Sequence, residues 1–73
     1  MPRLPVVSGR EAAKAFQRAG WTLVRWRGSH MIFIKEREAA TLSIPDHREL
    51  DRGLLRSLIR DARMTVQEFA DLL

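Results

Sequence analysis

The sequence predicts an α+β fold in the order α-β-β-β-α with a short helix at the end, and three observations lead there. Helix-opening signatures flank a middle stretch of β-branched and aromatic runs. Turn residues, rather than long connections, interrupt that stretch. Apolar residues recur at helical spacing only outside it. Consecutive strands joined by short turns make an antiparallel meander, and helices covering one face complete the economical packing.

Ser8 and Glu11 form an S-x-x-E capping box, after which Ala12, Ala15, Phe16 and Ala19 repeat on one face until Gly20 supplies a stop, so helix 1 spans about Ser8 to Ala19. Trp21 to Trp26 and His30 to Lys35 read as two strands of a tight hairpin punctuated by Arg27-Gly28. Glu36 to Ala39 is a polar turn, and Thr41 to Ile44 a third strand that Pro45 ends, because proline has no N–H for the ladder. Asp51 caps a helix whose Leu54, Leu55, Leu58, Ile59 and Ala62 share a face. Thr65-x-x-Glu68 opens a last short helix through Val66, Phe69, Ala70 and Leu73. Met31 and Phe33 alternate with Ile32 and Ile34, so strand 2 is apolar on both faces. It is either covered twice or left with a second face for a partner.

The 73 residues are read as one domain, 1–73, with a single thin core. The absence of cysteine excludes a disulfide framework, a thiolate metal site and a thiol nucleophile, and points to a reducing compartment, the cytoplasm. The longest apolar run, Met31 to Ile34, is far short of the ~20 residues that span a bilayer, and no signal-peptide pattern opens the chain. A soluble protein without membrane contact, monomeric when alone, is expected. Thirteen basic residues outnumber nine acidic ones and nearly all are arginine, whose planar fork grips phosphate or carboxylate in pairs of hydrogen bonds. The excess lies in residues 1–37. An anionic partner follows. Arg10, Lys14 and Arg18 on helix 1, and Arg52, Arg56 and Arg60 on helix 2, form basic stripes at i, i+4 and i+8. Such like-charge spacing costs an isolated helix ~0.2–0.5 kcal/mol per pair, so it fits either a solvated face or an anionic partner.

Gly20-Trp21, Arg25, Gly28-Ser29-His30, Ile44-Pro45-Asp46-His47 and Gly53-Leu54-Leu55, in that order and spacing, resemble the HicA toxins of bacterial toxin–antitoxin pairs, over about Ser8 to Leu73. The resemblance implies a double-stranded-RNA-binding-domain-like fold, cleavage of messenger RNA, and neutralisation by a HicB-like antitoxin. It also implies that His30, in Gly-Ser-His, is the functional histidine, while leaving the role of His47 open. Two positions depart from the family's pattern. Leu54 stands where threonine is common, and Arg63-Met64 where Gly-Leu usually closes the helix.

Metal-free RNA cleavage needs a base for the 2′-OH proton, an acid for the leaving 5′ oxygen and cations for the phosphoryl charge. Histidine serves either proton role near neutrality. A turn centred between Arg37 and Glu38 places His30 opposite about Pro45, with His47 two residues on, so both histidines are expected at one end of the sheet. His30 is then the general base or acid and His47 the candidate second proton carrier. Arg25, Arg27, Lys14, Arg18 and Ser29 are the candidate RNA contacts. Local roles are the alternatives: His30 hydrogen-bonding the hairpin turn, and His47 pinning the loop into helix 2 through a backbone carbonyl. No cofactor is expected, and neither zinc-ligand spacing nor an acidic cluster suggests a metal. Trp21 and Trp26, an odd number of positions apart, would face opposite sides of a regular strand, one in the core and one free for a base or a protein. Rival readings are a non-catalytic RNA-binding module and a protein-interaction subunit completed by a partner chain.

Overall fold

The computed structural model describes residues 3–73. Helix α1 (Gly9–Arg18) leads into strands β1 (Thr22–Arg27), β2 (His30–Ile34) and β3 (Leu42–Pro45), followed by α2 (Arg52–Asp61) and α3 (Val66–Ala70). The sheet is antiparallel in the order β1-β2-β3, so β2 is central. This is the predicted α+β, double-stranded-RNA-binding-domain-like arrangement.

Each helix begins where its cap residue dictates. The Ser8 hydroxyl accepts from the Glu11 N–H at 3.0 Å while the Glu11 carboxylate accepts from the Ser8 N–H at 2.8 Å. Thr65 and Glu68 repeat the same box at the same distances. At α2 the Asp51 carboxylate takes the Leu54 N–H at 3.0 Å, so no hydroxyl is needed at position 54, and Leu54 packs against the core instead. Each such cap is worth about 1 kcal/mol.

α1 and α2 end in the same way with different residues. After α1, Gly20 lies at φ 101°, its N–H donating to the Gln17 carbonyl and the Trp21 N–H to that of Phe16, both at 3.0 Å. After α2, Arg63 takes the equivalent place at φ 60°, its N–H bonded to Arg60 at 2.9 Å and the Met64 N–H to Ile59 at 3.1 Å. Both are Schellman caps, for which glycine is the usual residue because a Cβ is strained there. Lys35 reaches across to donate its Nζ to the carbonyl of Ala19, the residue that caps the end of α1, at 2.8 Å.

The core lies between the helices and one face of the sheet. Met31, Phe33, Leu42 and Ile44 meet Ala12, Ala15 and Phe16 of α1, Leu55, Leu58 and Ile59 of α2, and Phe69 of α3. The Phe16 and Phe69 rings are 5.0 Å apart and tilted by 44°, a favourable aromatic arrangement that brings the last helix onto the first. Trp21 is fully buried, and its Nε1 has no hydrogen-bond partner.

Trp21 lies in the core and Trp26 is exposed, as expected, but a β-bulge overturns the expectation that they face opposite sides. Thr22 and Leu23 pair with Ile34 and Phe33, but Arg25 pairs with Ile32, leaving Val24 as an extra residue. The extra residue inverts the alternation beyond it, so Trp26 shares the helix-side face with Leu23 and Met31, and the odd spacing from Trp21 no longer separates the two indoles. Arg25 and Arg27 turn to the opposite, helix-free face, where they join His30, Ile32 and Ile34. Ile32 is buried there between Arg25 and Ser43, whereas Ile34 is exposed.

Candidate active site

His30 is exposed at the first position of β2, paired with Arg27 on one side and Pro45 on the other. The two-residue link Gly28-Ser29 sets its position. Gly28 lies at φ 59° while Ser29 is not left-handed, the pattern of a II′ hairpin turn whose twist matches the strands. Because paired residues share a face, the Arg27 and His30 side chains leave the sheet on the same side, and Arg25 follows two residues along. Ser29 contributes its main chain: its carbonyl accepts from the Asp46 N–H at 2.9 Å, extending the β2–β3 ladder past Pro45.

The register brings His47 to the same end of the sheet, two residues after the partner of His30. The His47 carbonyl accepts from the Gly9 N–H at 2.9 Å, and the His47 N–H donates to the Pro45 carbonyl at 2.9 Å. The loop leading into α2 is therefore pinned through backbone groups, the carbonyl of His47 itself accepting from α1, and not by its imidazole reaching a carbonyl. Its imidazole is left exposed. Among the described residues, neither imidazole makes a side-chain hydrogen bond, so the hairpin turn is closed without help from the His30 ring.

Gly9 makes this junction possible. A Cβ at that position would overlap the Pro45 carbonyl oxygen and crowd its carbon and the His47 nitrogen. Beside it, Arg10 donates to both carboxylate oxygens of Asp46, Nε at 3.1 Å and Nη2 at 3.0 Å, and its guanidinium carbon lies 5.4 Å from the Trp26 ring centre. The hydrogen bonds from Arg10, more than the charges of Arg10 and His47, hold the Asp46 carboxyl below the usual carboxylate range. Asp46 in turn raises the Arg10 guanidinium. Asp46 thus supplies no proton near neutrality. Its part is to fix the loop that carries His47.

The remaining sequence candidates lie elsewhere. Lys14 is exposed on α1, across the sheet from His30. Arg18, at the other end of that helix, donates Nη1 to the Leu72 carbonyl at 2.6 Å. The helix 1 stripe is therefore divided, with Arg10 and Arg18 each holding an acceptor within the chain. Sequence reasoning missed Gly9 and the Arg10–Asp46 pair. Only the small residue at the first helical position hinted at the former, and nothing local signals the latter, whose partners are 36 residues apart. Among the described residues no three His, Asp or Glu side chains converge to hold a metal, and no helix is long and apolar enough to cross a membrane.

Residues 9–64 of the chain match the family model described as HicA toxin of bacterial toxin–antitoxin. No curated protein matches it.

Proposed function

The chain belongs to the HicA toxin family of bacterial toxin–antitoxin systems, and from that premise we propose that it is a metal-independent endoribonuclease acting on messenger or other single-stranded RNA. The observation that carries the reading is an exposed histidine, His30, on a helix-free sheet face that it shares with Arg25 and Arg27, with His47 anchored at the same sheet end.

In this reading one imidazole removes the proton from a ribose 2′-OH, whose oxygen bonds to the adjacent phosphorus. The P–O5′ bond breaks, and a protonated imidazole delivers a proton to the departing 5′ oxygen. The products are a 2′,3′-cyclic phosphate and a 5′-hydroxyl. His30 fills one proton role and His47 the other. Arg27, directly across from His30, and Arg25 hold the phosphoryl oxygens as their charge grows. Ser29 shapes the hairpin turn through its backbone. Lys14 and Arg18 serve only phosphates that reach the helix layer around the β1 edge. Within a toxin–antitoxin pair the protein is held inactive by a HicB-like antitoxin. Exposed Ile34, on the same face as His30, offers that partner an apolar foothold beside the site.

The test is cleavage of a long single-stranded RNA by the purified protein and its His30→Gln variant, with and without EDTA, with circular dichroism on both. Chelator-resistant cleavage that disappears in a folded variant is the expected result. Binding without cleavage would replace this reading with that of a non-catalytic RNA-binding module.

A further inference from the structure

A groove of about 180 Å³ runs between α1 and the helix-side face of β1, lined chiefly by Arg10, Lys14, Gln17, Leu23, Trp26 and Phe33, with no carboxylate among its lining residues. We propose that it is a nucleobase subsite, seating one unstacked base of the RNA next to the scissile phosphate. The proposal rests on the ribonuclease reading above.

The bulge at Val24 turns Trp26 to this side of the sheet, where the residue stays 46% exposed although the neighbouring Leu23, Met31 and Phe33 pack with the core. An indole on an apolar floor with cations at the rim combines what single-stranded RNA sites use: an aromatic surface for the base and positive charge for its phosphate. Arg10 adds a second flat surface. Its guanidinium lies over the indole and is fixed there by both Asp46 oxygens, so a base meets a platform already in place. Gln17 supplies a donor and an acceptor for a base edge.

The size of the groove selects the occupant. It falls below the ~300 Å³ at which pockets for drug-sized ligands begin, so it suits one flat heterocycle rather than a helix of a partner protein. Its position suits the reaction too. Trp26 immediately precedes Arg27, the cross-strand partner of His30, and the two side chains leave opposite faces of an edge strand that has no neighbour beyond it. An RNA chain bending around that edge at Arg27 passes from the histidine face into the groove.

Trp21 is buried, so Trp26 can report occupancy alone in a Trp21→Phe background, a change that also removes an indole N–H lacking a partner. With His30→Gln added to prevent cleavage, the folded protein is titrated with oligouridylate, with oligoadenylate, and with an abasic ribose-phosphate chain of equal length. The base-bearing chains are expected to quench Trp26 emission and the abasic chain to leave it nearly unchanged. Trp26→Ala should weaken binding of the base-bearing chains roughly five- to 150-fold, the range for losing one base–aromatic stack, with Trp26→Phe recovering most of it. Equal quenching by the abasic chain, or unchanged affinity in Trp26→Ala, overturns the subsite while cleavage by the unmodified protein leaves the ribonuclease reading standing. Quenching by an acidic antitoxin and by no oligonucleotide assigns the groove to a protein and also overturns it. An unmodified protein that neither binds nor cleaves RNA removes both readings.

Discussion

The backbone N–H of Gly9 donates to the carbonyl of His47 at 2.9 Å, so the first turn of α1 holds the segment that carries the second histidine. A side chain at position 9 cannot coexist with that contact, because its Cβ would occupy the place of the Pro45 carbonyl oxygen. Gly9→Ala should therefore destabilise the fold by about 1–3 kcal/mol, the usual cost of overpacking, and should lower cleavage by more than the unfolded fraction explains. Denaturant unfolding and activity measured on the same preparation check this. An unperturbed unfolding midpoint would show that the junction yields easily.

If His30 and His47 share the proton transfers, each variant should remove one limb of the pH–rate profile. His30→Gln is expected to lower kcat by roughly 10²–10⁴, the range for general acid–base groups. His47→Gln should flatten the opposite limb. A His47→Gln profile that keeps both limbs would give His47 a place in the loop's architecture only.

Arg63 holds a left-handed conformation that costs a non-glycine residue about 1–2 kcal/mol. Its ion pair with the partly buried Glu38 is long, 3.8 Å, and the Arg63 side chain itself is exposed, so little is lost with it. Arg63→Gly should raise stability by about 1 kcal/mol, or roughly 4–8 °C in Tm for a chain of this length. A lowered Tm would mean that glycine's freedom in the unfolded chain outweighs the relief of strain.

Asp46 is held below its ordinary pKa by Arg10, so its contribution to stability is fully present above the unfolded value of about 3.9 and is lost as the pH falls through the lower folded value. Arg10 stays charged throughout that range, but its upward shift comes from the same pair and disappears with the Asp46 charge. Urea midpoints measured from pH 6 to pH 2 should fall more steeply for the natural protein than for Asp46→Asn. Glu11, lowered by its hydrogen bonds with Ser8, titrates in both. Parallel curves would show that the Arg10–Asp46 pair contributes nothing to folding.

The parts of the site that were legible depend on local rules. The capping boxes at Ser8 and Thr65 are set by residues three apart and precede apolar helical runs, and a meander with short turns has few registers, so His30 could be placed opposite Pro45 from residue numbers alone. The bulge was not legible. Thr22 to Arg27 carries no glycine to mark it, and it shows only in the pairing of β1 with β2. The end of α2 was blurred for a related reason. Arginine is no stop signal, and the chain turns at Arg63 because the Ile59 and Arg60 carbonyls find donors there. Contacts such as Arg10–Asp46 join residues far apart in sequence, and only the folded chain brings them together.

Val24 also bears on how this strand can change over evolutionary time. In a regular strand, losing one residue turns every later side chain over, which here would exchange arginines for tryptophan on the face that carries His30. Because Val24 is the unpaired residue of the bulge, its deletion leaves Leu23 and Arg25 on opposite faces, as they already are. Position 24 is thus where a one-residue deletion can be absorbed without rewiring the surface around His30, and length variation among relatives in this strand should concentrate there.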